Sequence, residues 1–385
     1  MEYNKLKAIF REGPYKAKSL MIALWFSFLL LPFKGLKAAL ILFGVLLVSL
    51  RVLKFLLRYI KVLRERLQGI GDRIPAIRYP NVRSMVFVLF ILLLFIPFIS
   101  SDYFTDVAIL AGIYIILALG LNVVVGFAGL LNLGFVAFYA IGAYTYALLN
   151  TRLGLDFWSA LPFSIGFSTA AGFLLAIPAL RLRGDYLAIV TLGFGEIVRL
   201  ILNNWDSLTM GPNGVSGIDS PSIMSVSFGK LDCYYYFVLI FVILTVFVTR
   251  RVYYSRIGRA WIAIREDEVA SSAMGINTTM YKIYSFAFGA FWAGLAGTLF
   301  AAKMHFVSPE SFTFMESVLI LCMVILGGLG SIRGVILGSI ILVLLPEVLR
   351  EVQLYRMLAL GSGIVLLMIF RPQGLIGGKG ASFRS

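Results

Sequence analysis

Histidine and cysteine are almost absent from this chain of 385 residues. It contains one histidine, His305, and two cysteines, Cys233 and Cys322, which are far apart and have no metal-ligand neighbours. Metal clusters and histidine-based catalytic triads are therefore nearly excluded, and the cysteines indicate neither a disulfide nor a zinc site. The sequence also lacks a GxxxxGK[ST] phosphate loop, so it has no such route to nucleotide hydrolysis.

Charged residues are scarce as well. They make up 14% of the chain, while 60% of the residues are hydrophobic. Soluble domains carry roughly 25% charged residues. Apolar runs close to the length of a membrane span recur along the sequence. We therefore predict an all-α, polytopic helical membrane protein with about twelve apolar segments. These segments are 20–33, 36–50, 84–99, 107–125, 134–149, 158–180, 186–202, 234–249, 281–302, 314–327, 332–345 and 357–370.

Acidic residues are outnumbered by basic ones, 19 to 34, which gives a formal net charge of +15. The basic residues cluster between apolar segments, so the positive-inside rule explains them more simply than nucleic-acid binding does. Loop charge places both termini and the segment 250–278 in the cytoplasm. The loop 203–232 holds three aspartates against the single Lys230 and is predicted to face outward.

The N-terminal region 1–83 is predicted to form a hairpin followed by a basic amphipathic helix. Its basic side chains recur at steps of three and four: Arg51, Lys54, Arg58, Lys61 and Arg64. Such a stripe is typical of a helix lying along the membrane surface, with its basic side toward anionic lipid headgroups. A helix that continues the second span, with its lysines snorkelling, is the alternative. Residues 84–385 form the main membrane domain.

The segment 255–275 is the one long charged passage in the second half of the chain. Asp267 is a candidate cap for a short helix, Glu268 suits its positive end, and Gly275 is a plausible stop. The helix would carry an apolar side made of Val269, Ala270, Ala273 and Met274. About two turns of helix are not stable alone in water, so this segment should dock against something. The alternative is a capped surface turn.

Glycines interrupt two apolar stretches in opposite halves of the chain. Broken helices are tolerated within a membrane where they line a cavity, and their ends can bind polar substrate groups. The candidate pathway residues at these breaks are Asn122, Gly129, Asn132 and Gly330. The alternative is close helix packing, for which the four-residue spacing of Gly330, Gly334 and Gly338 is also suited.

Glu196 and Arg199 lie three residues apart near the outer end of the short apolar segment 186–202. Charged residues at membrane depth are often functional, but an i,i+3 pair also neutralises both charges cheaply. Structural pairing is the favoured interpretation.

Three classes of function remain from the residues alone. The first is a transport subunit whose cytoplasmic segment docks a separate motor, the second an ion-driven secondary transporter, and the third a membrane enzyme acting on lipid. An ion-driven carrier usually needs acids buried near mid-membrane, and here most acids lie in loops. A lipid enzyme would need clustered acids or histidines at one interface. The first class is favoured.

Several long blocks, in order, carry a resemblance to a known family. They are LGLNVVVGFAGLLNLGFVAFYAIGAY (119–144), LRLRGDYLAIVTLGFGEIVR (180–199), GPNGVSGI (211–218), GRAWIAIREDEVASSAMGI (258–276), FVSPESFTFMES (306–317), VILGGLGS (324–331) and RPQGL (371–375). The chain resembles the LivM-type permease subunits of high-affinity branched-chain amino acid ABC transporters. The resemblance covers roughly residues 102–385 and makes 84–385 the permease domain.

The resemblance implies a multi-pass protein of the bacterial inner membrane that imports leucine, isoleucine and valine. It implies a LivH-like second permease, two LivG/LivF-like ATPase subunits and a periplasmic or tethered amino-acid-binding protein as partners. This chain would be no enzyme and bind no cofactor, because ATP and Mg²⁺ would be used by the ATPases. Urea permeases are close relatives, so urea or another small polar solute is the alternative substrate.

The resemblance also implies that the segment 250–278 engages an ATPase. Importer permeases carry an EAA–xxx–G pattern in this loop. The chain matches it with Glu268, Ala270 and Gly275, although Glu-to-Gly is one residue longer and Val269 replaces the first alanine. The predicted coupling residues are Arg265, Glu266, Asp267, Glu268, Ala270 and Gly275.

Overall fold

The computed structural model describes residues 97, 101–180, 182, 184–223, 226–348, 361 and 374–375, without the side chains of 223, 226, 227 and 348. The predicted N-terminal hairpin and basic helix of residues 1–83 lie outside the described residues. The same holds for the predicted closing segment 357–370, apart from position 361, and for most of segment 84–99.

Helices dominate the described part of the chain. In chain order they are α1 (Asp102–Leu121), α2 (Val136–Leu153), α3 (Phe157–Ala179), α4 (Asp185–Asn204), α5 (Asp206–Thr209), α6 (Leu231–Tyr253), α7 (Arg256–Glu266), α8 (Glu268–Ala273), α9 (Thr278–Met304), α10 (Phe314–Gly327) and α11 (Ile332–Val348). Eight of the predicted apolar segments fall in this part, and each coincides with a helix.

Four of the described helices are long and apolar enough to cross a membrane. They are α1 with the π-helical turn Asn122–Phe127 that continues it, α3, α6 and α9. Most residues of α1 and α9 are buried, whereas α3 and α6 leave most of theirs accessible. Helices α1 and α9 therefore form the centre of the bundle, and α3 and α6 belong to its periphery.

Close packing around α9 depends on glycine. A Cβ at Gly142 of α2 would run into the backbone of Gly294, and one at Gly297 would run into the carbonyl of Tyr139. Without side chains at these points the two helix backbones approach closely, as small residues allow between membrane helices. The same device joins α10 to α11, where Gly334 and Gly338 contact the backbone around Gly327. Those two glycines thus serve helix packing.

Two short antiparallel strand pairs depart from the all-α expectation. Strand β1 (Val215–Ser216) pairs with β4 (Phe306–Val307), and β2 (Ser222–Ile223) pairs with β3 (Val226–Ser227). Each strand has only two residues, and all lie in the polar connections after α5 and α9. Such isolated backbone pairs satisfy loop hydrogen bonds and leave no signal of alternating side chains.

The two ends of the bundle differ in character. Helix α6 begins beside the β2–β3 pair and ends at α7, while α9 begins after α8 and ends at β4. The acidic loop before α6 and the charged segment 255–275 therefore lie at opposite ends of these long helices, as opposite membrane sides require. At the loop end, Lys303 forms an ion pair of 2.8 Å with Asp106.

Candidate functional site

The charged segment Ser255–Gly275, here called the platform, forms two short helices. The Ser255 hydroxyl accepts a bond from the Gly258 amide at the start of α7. Asp267 ends α7 and caps α8, because its Oδ1 accepts bonds from the amides of Val269 (2.8 Å) and Ala270 (3.0 Å). The predicted cap is confirmed.

The predicted stop is confirmed as well. Gly275 has φ +83°. Glycine adopts this left-handed conformation without the strain that a side chain would bring. Helix α7, in contrast, is not predicted by the sequence analysis. The spacing of Ala260, Trp261 and Ile264, all buried, is a helical signal that would have revealed it.

Helix α7 is anchored to the bundle by its apolar side. Trp261 is among the largest fully buried side chains, and its Nε1 donates to the Tyr281 carbonyl of α9 at 2.7 Å. The ring also packs on Phe288. Because both the ring and its polar N–H are satisfied by α9, α7 is held as part of the membrane bundle.

Arg265, in the last turn of α7, points back into the bundle. Its Nη1 donates to the Gly126 carbonyl at 2.5 Å, at the π-helical end of α1. A Cβ built at Gly129 would lie 2.6 Å from Arg265 Cγ, and one at Gly330 would lie 3.3 Å from Arg265 Nη1. One platform side chain therefore touches the glycine-rich breaks of both halves of the chain.

Asn122 joins the same two breaks directly. Its Oδ1 accepts a bond of 2.9 Å from the Gly330 amide, across 208 positions of sequence. The residue is fully buried and opens a π-helical turn. Such turns are often found at functional sites. The Asn122 Nδ2 has no hydrogen-bond partner within the described residues. Asn122, Gly129, Gly330 and Arg265 thus form one cluster, which we call the break cluster.

Asn132 has a different place. Its Oδ1 accepts a bond from the Gly134 amide at 3.0 Å, and the neighbouring Leu133 amide donates to Thr191 Oγ1 of α4 at 3.0 Å. Asn132 is fully buried, and its Nδ2 is also unpaired among the residues described. It shapes the turn between the π-helical end of α1 and the start of α2, next to α4.

Helix α8 contrasts with α7 because it is largely exposed. Val269 is 64% exposed and Met274 83%, and Ser271 is the buried residue of this helix. The predicted apolar side therefore finds no cover within the described part of the chain.

Glu268 links α8 to the bundle. It forms an ion pair of 2.6 Å with Lys282 in the second turn of α9, and the Lys282 side chain is almost fully buried. Sequence reasoning missed Lys282, although a lysine among apolar residues near the start of a span is a visible signal. Among the other predicted coupling residues, Glu266 and Ala270 are exposed, with Glu266 3.7 Å from Arg265.

The pairing predicted for Glu196 and Arg199 is confirmed. Arg199 Nη2 lies 2.8 Å from Glu196 Oε2, and both side chains remain about one third exposed.

These features define a class before any comparison is made. A bundle of apolar helices, interrupted by glycine-rich breaks and carrying a charged platform with an exposed apolar helix, is the arrangement of an integral membrane transport subunit. Comparison with known families gives the narrower identification. The family described as branched-chain amino acid transport system / permease component matches residues 103–370. The chain belongs to this family.

Individual relatives agree with that assignment. The high-affinity branched-chain amino acid transport system permease protein LivM of Salmonella typhimurium is 48% identical over 328 residues, covering 79% of this chain and 77% of the relative. The LivH permease of the same organism is 28% identical over 291 residues, covering 70% and 92%. A probable LivM of Methanocaldococcus jannaschii is 26% identical over 330 residues, covering 72% and 94%. No solved structure matches the chain significantly.

Proposed function

We propose that this chain is a membrane-spanning permease subunit of an ATP-driven importer that moves leucine, isoleucine and valine across the bacterial inner membrane. The family and the names of its relatives support this function. The structural observation that carries the coupling part of the proposal is the break cluster, in which the platform residue Arg265 bonds the Gly126 carbonyl beside Gly330.

The proposed assembly contains a LivH-like permease, two ATPase subunits and a periplasmic or tethered binding protein. This chain binds no cofactor, since the ATPases use ATP and Mg²⁺. The platform faces the cytoplasm, and the exposed side chains of Val269 in α8 and of Met274, directly after it, supply the apolar surface for an ATPase. The binding protein meets the opposite end, where the acidic loop and the β1–β4 pair lie.

The mechanism follows from which groups are connected. ATP binding closes the ATPases, which displace α8. Two connections carry that displacement into the membrane: the Glu268–Lys282 ion pair moves the start of α9, and α7 moves Arg265 against both glycine-rich breaks. Rigid helices transmit such motion, and breaks absorb it, so access to the pathway switches between the two sides.

Reconstitution tests this function directly. Vesicles containing the chain with the second permease, the two ATPase subunits and the binding protein should take up leucine, isoleucine or valine only when ATP and the binding protein are present. Uptake of urea would retain the class and change the substrate. Uptake by the chain alone under a proton or sodium gradient would favour a secondary transporter, and release of a modified lipid would favour an enzyme.

Two platform variants test the coupling assignment. Proline cannot adopt the positive φ that Gly275 has. Arginine at Glu268 places a second cation beside the buried Lys282. Gly275→Pro and Glu268→Arg should leave ATP hydrolysis detectable and abolish the uptake that depends on it. Normal leucine uptake by vesicles carrying either variant would show the coupling assignment to be wrong.

A further inference from the structure

Glu196 and Arg199 occupy an unusual position for charged side chains. They are the twelfth and fifteenth residues of the 20-residue helix α4, in its C-terminal half. The exposed residues around them are apolar and include Ile189, Ile197 and Leu200. Helix α4 is not among the four long apolar helices, but the sequence predicts its residues 186–202 as an apolar segment. Charged groups within such a segment face protein or a water-filled cavity, so on that prediction the side of α4 that carries the pair does not face lipid.

The pair leaves one acceptor and one donor unused. Arg199 Nε and Nη2 both donate to the same oxygen, Glu196 Oε2, at 2.9 and 2.8 Å. Glu196 Oε1 and Arg199 Nη1 have no partner in the part of the chain that the structure describes. One carboxylate oxygen and one guanidinium nitrogen of the pair are therefore unpaired within the described part of the chain.

The surroundings place this pair beside one of the membrane breaks. A Cβ on Gly195 would lie 3.1 Å from the Cα of Gly134, which precedes α2. On the other side, a Cβ at Gly193 would meet no atom within 4 Å. The helix is thus packed against the broken segment through Gly195 and open at Gly193, one turn before Glu196.

We propose that Glu196 and Arg199 form a transit site for the zwitterionic head of an α-amino acid. The substrate ammonium is bound by the free Oε1 of Glu196, and the substrate carboxylate by the free Nη1 of Arg199. Both are charge-assisted bonds, which are stronger than bonds between neutral groups. The mutual ion pair stays intact, so the site is neutral when empty and neutral when occupied.

This inference rests on the proposed function, since it names the part of the substrate that this site receives. The head group is common to leucine, isoleucine and valine, so the site does not discriminate among them. It does select zwitterions against neutral solutes such as urea, which offer neither charge to the pair.

The test uses the reconstituted full complex with its binding protein, and measures leucine uptake and ATP hydrolysis in the same vesicles. Glu196→Gln and Arg199→Gln should each lower the leucine molecules moved per ATP by about tenfold. Hydrolysis stimulated by the loaded binding protein should be retained, because the platform is untouched. The matched control is the ion pair between Asp106 and Lys303, tested as Asp106→Asn and Lys303→Gln, which should retain the wild-type ratio.

Exchanging the two charges distinguishes a pair that binds substrate from a structural pair whose charges only neutralise each other. The double variant Glu196→Arg with Arg199→Glu keeps an i,i+3 pair but reverses its direction. A structural pair would be restored by this exchange, so recovery of uptake would overturn the proposal, as would normal uptake by either single variant. Continued loss of uptake with intact hydrolysis is the expected result. If the wild-type complex moves no branched-chain amino acid, the proposed function itself fails, and this inference with it.

A labelling experiment does not depend on the charge variants folding. Gly193→Cys, in a chain with Cys233→Ser and Cys322→Ser, places one thiol in the open space next to the pair. A membrane-impermeant maleimide should react with it in the assembled complex, and leucine with its binding protein and ATP should slow that reaction severalfold. A thiol that stays unreactive, or reacts at the same rate under turnover, would overturn the proposal.

Discussion

The two platform helices are neighbours in sequence and opposite in environment. Helix α7 buries Trp261 and Ile264 against the bundle and sends Arg265 to the Gly126 carbonyl. Helix α8 begins two residues after α7 ends and exposes Val269 and Met274. The joint between them is Asp267, which is extended and caps α8.

This difference separates two tasks. A helix that contacts a partner needs an uncovered apolar side, and a helix that transmits movement needs fixed contacts within its own chain. Helix α8 meets the first requirement and α7 the second. Substitutions in one helix at a time should therefore affect one task and spare the other.

The largest expected effect comes from removing the anchor of α7. Trp261→Ala deletes a buried ring and leaves the Tyr281 carbonyl without its donor. This change should destabilise the protein by about 3–5 kcal/mol. Thermal unfolding of the purified chain in detergent measures this loss. The control is Trp205→Ala, since Trp205 is 51% exposed. Equal shifts in Tm for the two variants would contradict an anchoring role.

Removing the contact between α7 and the breaks should uncouple transport with little unfolding. Arg265→Ala loses the bond to the Gly126 carbonyl. Such a charge-assisted bond is worth about 2 kcal/mol, so leucine uptake per ATP should fall by roughly thirtyfold. Arg265→Lys retains one donor, so its leucine uptake per ATP should lie between the values of the wild type and of Arg265→Ala. The control on the same helix is Arg259→Ala, whose guanidinium bonds only the nearby Tyr254 carbonyl among the groups described. An uptake ratio for Arg265→Ala equal to that control would refute the connection.

Weakening the ion pair that joins α8 to α9 should have a smaller effect on stability. Glu268→Gln weakens the compensation of the buried Lys282, and Glu268 itself is partly exposed. That exposure limits the expected loss of stability to about 2 kcal/mol or less. Denaturation midpoints measure it.

The matched control for this ion pair is Glu266→Gln, because that carboxylate is 71% exposed. A charge so exposed should change stability by less than about 0.5 kcal/mol. Indistinguishable denaturation midpoints for the two variants would show that the Glu268–Lys282 ion pair does not stabilise the contact between α8 and α9.

The smallest effect on stability is expected at the exposed side of α8. Neither Val269 nor Met274 is buried. Val269→Asp and Met274→Asp should therefore change the free energy of unfolding by no more than about 0.5 kcal/mol. They should nevertheless reduce co-purification of the ATPase subunits with the permease. Thr279→Asp, exposed at the start of α9, is the control. Undiminished co-purification would show that the ATPase subunits contact the permease at a place other than α8.

Local features of the platform are predictable from the sequence because they depend on neighbours in the chain. An aspartate cap bonds amides two and three residues away, and a glycine stop needs only its own φ. The eight predicted apolar segments that fall in the described part of the chain likewise coincide with helices, because long apolar runs mark helices in a membrane protein. Helix α7 was also within reach of such reasoning, since Ala260, Trp261 and Ile264 have helical spacing, but that signal was not used.

The candidate pathway residues show where such reasoning stops. Asn122, Gly129 and Gly330 are selected one by one as polar or flexible points in apolar stretches. That Asn122 bonds the Gly330 amide 208 positions away, with Arg265 against both, depends on how α1, α7 and the start of α11 pack.

Sequence alone therefore determined the membrane class, the apolar helices of the described part, the family resemblance and the cap and stop of α8. Each of these follows from composition, length or contacts within one turn. Only the tertiary structure decided which platform helix is buried and which is exposed, because burial depends on what the rest of the chain covers. The tertiary structure also placed Arg265 against both glycine-rich breaks. This contact joins three segments that are distant in sequence, so no local pattern predicts it.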